Sequence, residues 1–179
     1  ILAALGGEGG GVFTNWLIAV AENNGWLCQS TSLAGVAQRT GATIYYIELF
    51  PKDHQKGRKP VMSLFPAQGD IDIAVSSEIA EAGRMLQRGF ITPDKTTLIT
   101  STHRVYGITE KSDIADGTMD ASSVLELAAK YSHRFINFDM SELAAKHNSV
   151  ISSALFGALA GSNALPFDKQ SFKEVIVST

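Results

Sequence analysis

The first five residues, ILAAL, are apolar without a break, and the pattern then stops abruptly at GGEGGG, residues 6–11. A short, uniformly apolar run predicts a strand buried on both faces. After the glycines the period changes: Phe13, Trp16, Leu17 and Val20 fall on one helical face, with Thr14, Asn15, Glu22 and Asn23 opposite. That spacing predicts an amphipathic helix, which Gly25 is placed to end in a left-handed cap. WLCQSTS (26–32) reads as a short strand. ATIYYIELF (42–50), rich in β-branched and aromatic residues and bounded by Gly41 and Pro51, is the clearest strand in the chain.

KDHQKGRKP (52–60) is the most polar stretch, with five charged residues, and predicts a solvated loop or hairpin tip. VMSLF (61–65) is expected as a strand pairing back on the previous one. DIDIAVSS (70–77) predicts a strand, and EIAEAGRMLQRG a helix with Ile79, Ala82, Met85 and Leu86 on one face and Gly89 as its stop. TTLITST (96–102) and RFINF (134–138) read as strands. ASSVLELAAKYS (121–132) and DMSELAAKHN (139–148) read as helices, the latter with Asp139 or Ser141 as cap. Strands alternating with helices of about ten residues predict an α/β fold of three layers, α/β/α. Its centre is a Rossmann-like, mostly parallel sheet with helices on both faces. No repeat, low-complexity tract or linker interrupts 1–179, so a single domain is expected. Because the chain opens inside a strand, a few upstream residues are expected to be missing, or the whole to be a segment of a longer polypeptide.

The run VISSALFGALAGSNAL (150–165) is the one stretch that invites a membrane reading. It falls short of the roughly 20 apolar residues a span needs, and Ser152, Ser153, Ser162 and Asn163 interrupt it. A helix packed closely against a sheet accounts equally well for Gly157 and Gly161, and no membrane partner is expected.

Composition narrows the function classes. The 179 residues are 45% hydrophobic and 18% charged, ordinary for a folded chain. A net charge of −3 and the absence of any long Lys/Arg run argue against a nucleic-acid surface. The single cysteine, Cys28, excludes an internal disulfide and cannot by itself ligate an iron–sulfur cluster or structural zinc. A reducing, cytoplasmic location is the expectation.

Two stretches offer chemistry. A glycine-rich turn between a strand and a helix presents backbone N–H groups and the positive end of the helix dipole to an anion. A dinucleotide fingerprint does not fit ALGGEGGGV. Counting from Gly7 and Gly9 puts Val12 where Gly or Ala is needed, and the second strand ends in CQSTS without an acid for a ribose. A Walker loop would require Gly-Lys-Ser/Thr, which is absent. A tight packing turn and a phosphate or interface site both stay open. The second stretch is SLAGVAQRTG (32–41), bracketed by Gly35 and Gly41, in which Gln38 and Arg39 carry amide and guanidinium donors suited to phosphate, carboxylate or a partner's carbonyls. Both stretches follow strands, so both are expected on one edge of the sheet. An ordinary turn arginine is the alternative for Arg39.

Other polar residues have simpler readings. His54, His103, His133 and His147 are far apart and lack metal-ligand spacing. Ser76 and Ser77 precede a helix and suggest capping rather than a nucleophile. Asp70 and Asp72 suggest a solvated sheet edge, and Trp16 and Trp26 core and strand-end positions rather than a stacking platform.

The order GGEGGGV, a helix, STSLAGVAQRTGATIYYIEL and GDIDIAVSSEIAEAGRML resembles the gamma domain of the 2-oxoacid:ferredoxin oxidoreductases. Within that group it is most similar to the beta subunit of indolepyruvate ferredoxin oxidoreductase. The shared pattern joins a glycine loop, a G-x-A-Q-R-x-G segment before a strand, and an acid after a later strand, where Glu78 fits. The strand YYIELF departs from it, since the family usually carries polar or basic residues there. The resemblance implies a component without a complete active site or metal site. It implies thiamine diphosphate and iron–sulfur clusters on partner subunits or domains, coenzyme A as co-substrate and ferredoxin as acceptor. Gly7, Glu8, Gly9, Gly10 and Gly11, with Gln38, Arg39, Thr40 and Gly41, would then line the face turned to coenzyme A or to the catalytic subunit. A stand-alone nucleotide-binding domain and a structural docking module are the alternative functions.

Overall fold

The computed structural model describes residues 1–34, 42–105 and 120–178. Gln38, Arg39, Thr40 and Gly41 lie outside the described residues. Six strands form one sheet: β1 (Leu2–Leu5), β2 (Trp26–Ala34), β3 (Ala42–Pro51), β4 (Ile73–Ser76), β5 (Thr97–Ser101) and β6 (Arg134–Phe138). Their spatial order is β2-β3-β1-β4-β5-β6. β1, β4, β5 and β6 pair in parallel, while β3 runs antiparallel to both of its neighbours. Five strands therefore share one direction and β3 alone is reversed. β2 and β3 form a hairpin, which a pattern of strands and helices cannot distinguish from a crossover.

Helices α1 (Gly10–Asn23), α2 (Ile79–Gln87), α3 (Ala121–Tyr131), α4 (Met140–Lys146), α5 (Ile151–Ser162) and α6 (Lys169–Ser178) cover the two faces. One core holds Phe13, Leu17 and Val20 of α1, Leu155, Phe156 and Leu159 of α5, Phe172 of α6, and the strand residues Leu2, Val75 and Ile99. Across the sheet Ala74 and Leu98 meet Ile79, Ala82 and Met85 of α2 and Val124 and Ala128 of α3. Strand residues alternate between these cores because successive side chains of a strand point to opposite faces. Trp16 and Trp26 sit in the first core, each with its ring centroid 5.3 Å from a phenylalanine, Phe156 and Phe167 respectively. These are the core and strand-end roles their sequence context predicts, Trp26 being the first residue of β2.

Helix ends follow the expected chemistry. Gly25 (φ 79°) and Gly89 (φ 70°) adopt the left-handed conformation just past α1 and α2. Asp139 caps α4 by accepting from the Glu142 amide at 2.8 Å. Asp70 and Asp72 are exposed and face Lys95.

Three expectations need correction. VMSLF (61–65) is not a strand. Both edges of β3 are already taken, so the segment crosses the sheet instead, held by side chains: Gln29 Nε2 donates to Ser63 O and Thr31 Oγ1 to Leu64 O, both at 2.8 Å. Glu48 Oε2 in turn accepts the Ser63 amide at 2.7 Å. Second, Gly157 and Gly161 do not mark a close helix–sheet approach, since a Cβ at either would meet nothing within 4 Å. Third, Ser76 and Ser77 do not cap α2. Its cap position is Glu78, without a side-chain bond, while Ser76 Oγ and Thr100 Oγ1 are 2.5 Å apart across β4 and β5.

Candidate functional site

The carboxyl ends of β1, β4, β5 and β6 open onto one rim of the sheet, where ligands of open α/β folds gather. At this rim β1 passes into the turn Gly6–Gly9 and α1. Gly7 (φ 85°) and Gly9 (φ 78°) are left-handed, a backbone state other residues adopt only with strain. Glu8 folds inward: its Oε2 accepts the Leu5 amide at 3.1 Å. The same amide lies 3.2 Å from Ser77 Oγ, at the end of β4. Glu8 Oε1 faces His103 Nε2 at 3.4 Å, and His103 Nδ1 lies 2.8 Å from Ser101 Oγ, at the end of β5. Ser101 Oγ also accepts the Met140 amide at 3.0 Å, which brings in the end of β6.

Ser101 Oγ accepts the Met140 N–H and shares a hydrogen bond with His103 Nδ1, while the other ring nitrogen, Nε2, faces Glu8. Although burial opposes charge on the Glu8 carboxyl, hydrogen bonds from His103, Ser77 and Leu5 together outweigh it and hold the group below the usual carboxylate range. A serine, a histidine and an acid in sequence could suggest a nucleophile. Ser101, however, is fully buried, and its oxygen is engaged by a backbone amide. The network ties four strand ends together. Sequence reading set His103 aside for want of metal spacing. Nothing along the chain indicates that residues 8, 77, 101 and 103 would meet.

The glycines divide into two sets. A Cβ on Gly9 would lie 2.5 Å from Ser152 Oγ of α5, and one on Gly10 would lie 2.8 Å from Ala4 Cβ and 2.5 Å from the Tyr45 ring. These two, with Glu8, serve internal packing. Gly7 meets nothing within 4 Å, and Gly11 only the Tyr45 hydroxyl at 3.8 Å. The open face of the turn is thus Gly7 and Gly11, beside the first N–H groups of α1, which have no acceptor within the helix. That is where an anion or a partner backbone can approach.

Register fixes what stands next to it. Leu5 pairs with Ala42, and Ala34 with Thr43. The described residues on either side of 35–41 therefore leave the sheet at the rim that carries the glycine turn.

Glu78 fits the acid position of the sequence resemblance, and the structure buries it almost completely. Its Oε2 lies 3.5 Å from the Val105 amide and its Oε1 3.5 Å from Arg84, which also pairs with Glu81. Burial, the largest influence, pushes the Glu78 carboxyl upward despite the amide bonds and Arg84. Glu78 thus anchors 102–105 over the start of α2, where His103 O accepts the Ile79 amide at 3.4 Å.

A cleft of about 820 Å³ opens at the opposite end of the sheet, among residues such as Trp26, Leu49, Lys56, Arg58 and Ile73. It is the slot between β3 and β4 below Ile1. The convergence of helix N-termini and strand ends favours the glycine rim as the functional end. Cys28 is half-buried, and its thiol is pushed up to about 11, chiefly by burial, so it is no nucleophile at neutral pH. Among the described residues no three His, Cys, Asp or Glu side chains come together to hold a metal. Nor is any helix long and apolar enough to cross a membrane.

Among curated proteins no sequence matches the chain. Solved structures do. The gamma subunit of keto/oxoacid ferredoxin oxidoreductase from Geobacter sulfurreducens superposes with a TM-score of 0.59 at 12% identity, over 99% of this chain and 83% of its own. The pyruvate oxidoreductase subunit PORC of Thermotoga maritima gives 0.57 at 13% identity, with the same coverage. The 2-oxoglutarate:ferredoxin oxidoreductase of Magnetococcus marinus gives 0.58 at 15%, this chain spanning 26% of that longer one. These likenesses establish the fold. The model of the pyruvate ferredoxin/flavodoxin oxidoreductase family matches residues 1–179, so the chain belongs to that family and is a component of a 2-oxoacid:ferredoxin oxidoreductase.

Proposed function

We propose that this chain is a non-catalytic but required gamma-type component of an indolepyruvate or aryl-pyruvate enzyme. Its glycine rim faces coenzyme A and the thiamine diphosphate-binding subunit or domain. In this reading the 179 residues act as one domain, in the cytoplasm, while thiamine diphosphate and the clusters that pass electrons to ferredoxin reside on partners. The Magnetococcus relative is described with coenzyme A and succinyl-CoA bound, which supports coenzyme A as the ligand class. The observation that carries the reading is the Leu5–Ala42 register, which brings the glycine turn and the described residues that flank 35–41 to one rim. Gly7 and Gly11 offer open backbone there, and Arg39 would supply a fixed cation for a phosphate or a partner carboxylate.

The test uses the assembled enzyme. Gly11→Asp places a negative charge in the first turn of α1, where it favours the helix and repels a phosphate. A rise of about tenfold in KM for coenzyme A, with the thermal midpoint unchanged, is expected, and Arg39→Ala is expected to act in the same direction. Unchanged acyl-CoA formation in both variants overturns the reading. Loss of subunit co-purification with KM unchanged would instead favour a docking module.

A further inference from the structure

We propose that the cleft between β3 and β4 seats the residues that precede Ile1 in the full-length chain, which continue β1 through it as a strand. β1 holds the centre of the sheet only over Leu2–Leu5, whereas β3 runs on past Tyr45, the partner of Leu2, to Pro51. Only β1 separates β3 from β4. Beyond Ile1 the two therefore face each other across two interstrand spacings, about 9–10 Å, the room that one strand fills.

Hydrogen bonding identifies the groups that face this space. The Val75 and Ser77 amides donate to Ile1 O and Ala3 O, each at 2.9 Å, and the Ile1 nitrogen donates to Ile73 O at 2.8 Å. Odd positions of β1 thus serve β4 and even positions serve β3, because the hydrogen-bonding groups of successive residues point to opposite sides. Continued in the same register, Ile47 and Leu49 turn their N–H and C=O groups into the cleft from β3, and Ile73 its N–H from β4. Another backbone can satisfy both edges in register, which a small ligand cannot. A strand from another chain would have to stop at the Ile1 nitrogen, whereas upstream residues enter on the axis of β1 itself. A peptide N–H at that nitrogen would keep the bond to Ile73 O without the charge, which burial opposes, pushing the amine down to about 5.

The walls also specify what the segment is made of. Leu2 and Ala4 face the first core, so the first and third residues before Ile1 face it too, against Ile47, Leu49, Trp26 and Leu165, and should be apolar. The second falls between Glu48 and Asp72 on the other face, where a polar side chain is at home.

The test is residue-resolved hydrogen exchange on the full-length chain, alone and assembled with its partner subunits. In both states the amides of Ile47, Leu49, Ile73 and the upstream residues are expected to exchange at least about 100-fold more slowly than in an unstructured peptide. Decanoate, an apolar chain whose anionic head suits Lys56 and Arg58 at the cleft, is expected not to bind. A native amino terminus at Ile1, charged residues at both the first and third upstream positions, or fast exchange throughout overturns the proposal. So does protection confined to the assembled state while the upstream residues exchange freely, which would assign the cleft to a partner's strand. Decanoate binding that changes Trp26 fluorescence and slows the same amides overturns it as well, in favour of an apolar anion.

Discussion

Glu8 and Glu78 both stand just past the ends of neighbouring strands, yet their surroundings drive their acidities apart. Glu8 is held below its ordinary value in the fold, so it contributes stability above that value and loses it as the pH falls through the lowered one. Burial raises Glu78, so the unfolded chain gives up that proton first, and stability falls as the pH rises from the ordinary carboxylate value through the raised one. Urea unfolding between pH 4 and 7 separates the two. Glu8→Gln should cost about 1–2 kcal/mol at neutral pH, the typical worth of a charge-assisted bond, and flatten the acid limb. Glu78→Gln should lose less stability at pH 7 than at pH 4, or gain some. Parallel pH profiles for the two variants would refute the assignment. The glycines make a second residue-scale prediction. Gly9→Ala combines a φ of 78° with contact against Ser152 and should cost about 2 kcal/mol or more, whereas Gly11→Ala should stay within roughly 0.5 kcal/mol, both read by thermal unfolding.

At the scale of elements, the crossing of 60–66 over β2 and β3 shows what local pattern can and cannot specify. VMSLF carries strand-favouring residues, but a strand requires a free partner edge, and the order β2-β3-β1 leaves β3 none. The segment therefore hangs on side chains, and Thr31→Val with Gln29→Leu should release it. Each lost bond is worth about 1 kcal/mol. Faster hydrogen exchange and proteolysis within 61–65, with little change in the global midpoint, are the expected outcome. The caps were legible for the opposite reason. Gly25, Gly89 and Asp139 act within a turn of their own helix, so sequence neighbours are also spatial neighbours. The candidate site was half legible. Its glycine turn is local, whereas the bonds among Glu8, Ser77, Ser101 and His103 join residues up to 95 positions apart, and only the parallel register of β1, β4 and β5 brings them together. The reversal of β3 was hidden similarly, because a run of alternating residues reads the same in either direction.

For the whole molecule, the question is whether the two cores behave as one. The first is rich in aromatic contacts, with Phe156 within 5.5 Å of Phe13, 5.3 Å of Trp16 and 5.1 Å of Phe172, ring centre to ring centre. The second is built of smaller residues against α2 and α3. They share every central strand: Ala3 and Ala74 face one core while Leu2 and Val75 face the other, so neither helical layer can leave without exposing strands that the opposite layer needs. Both tryptophans belong to the first core, which makes fluorescence a reporter of that face alone. Leu98 lies fully buried on the second face, and Leu98→Ala should cost about 2–5 kcal/mol through lost contacts and the cavity left behind. If the shared sheet couples the layers, that variant shifts the fluorescence midpoint as far as the midpoint seen by far-ultraviolet circular dichroism, although no tryptophan is near the cavity. A dichroism midpoint that falls while fluorescence stays put would mean that α2 and α3 peel away independently. The rim that depends on Ser77 and His103 would then be no rigid platform for a partner.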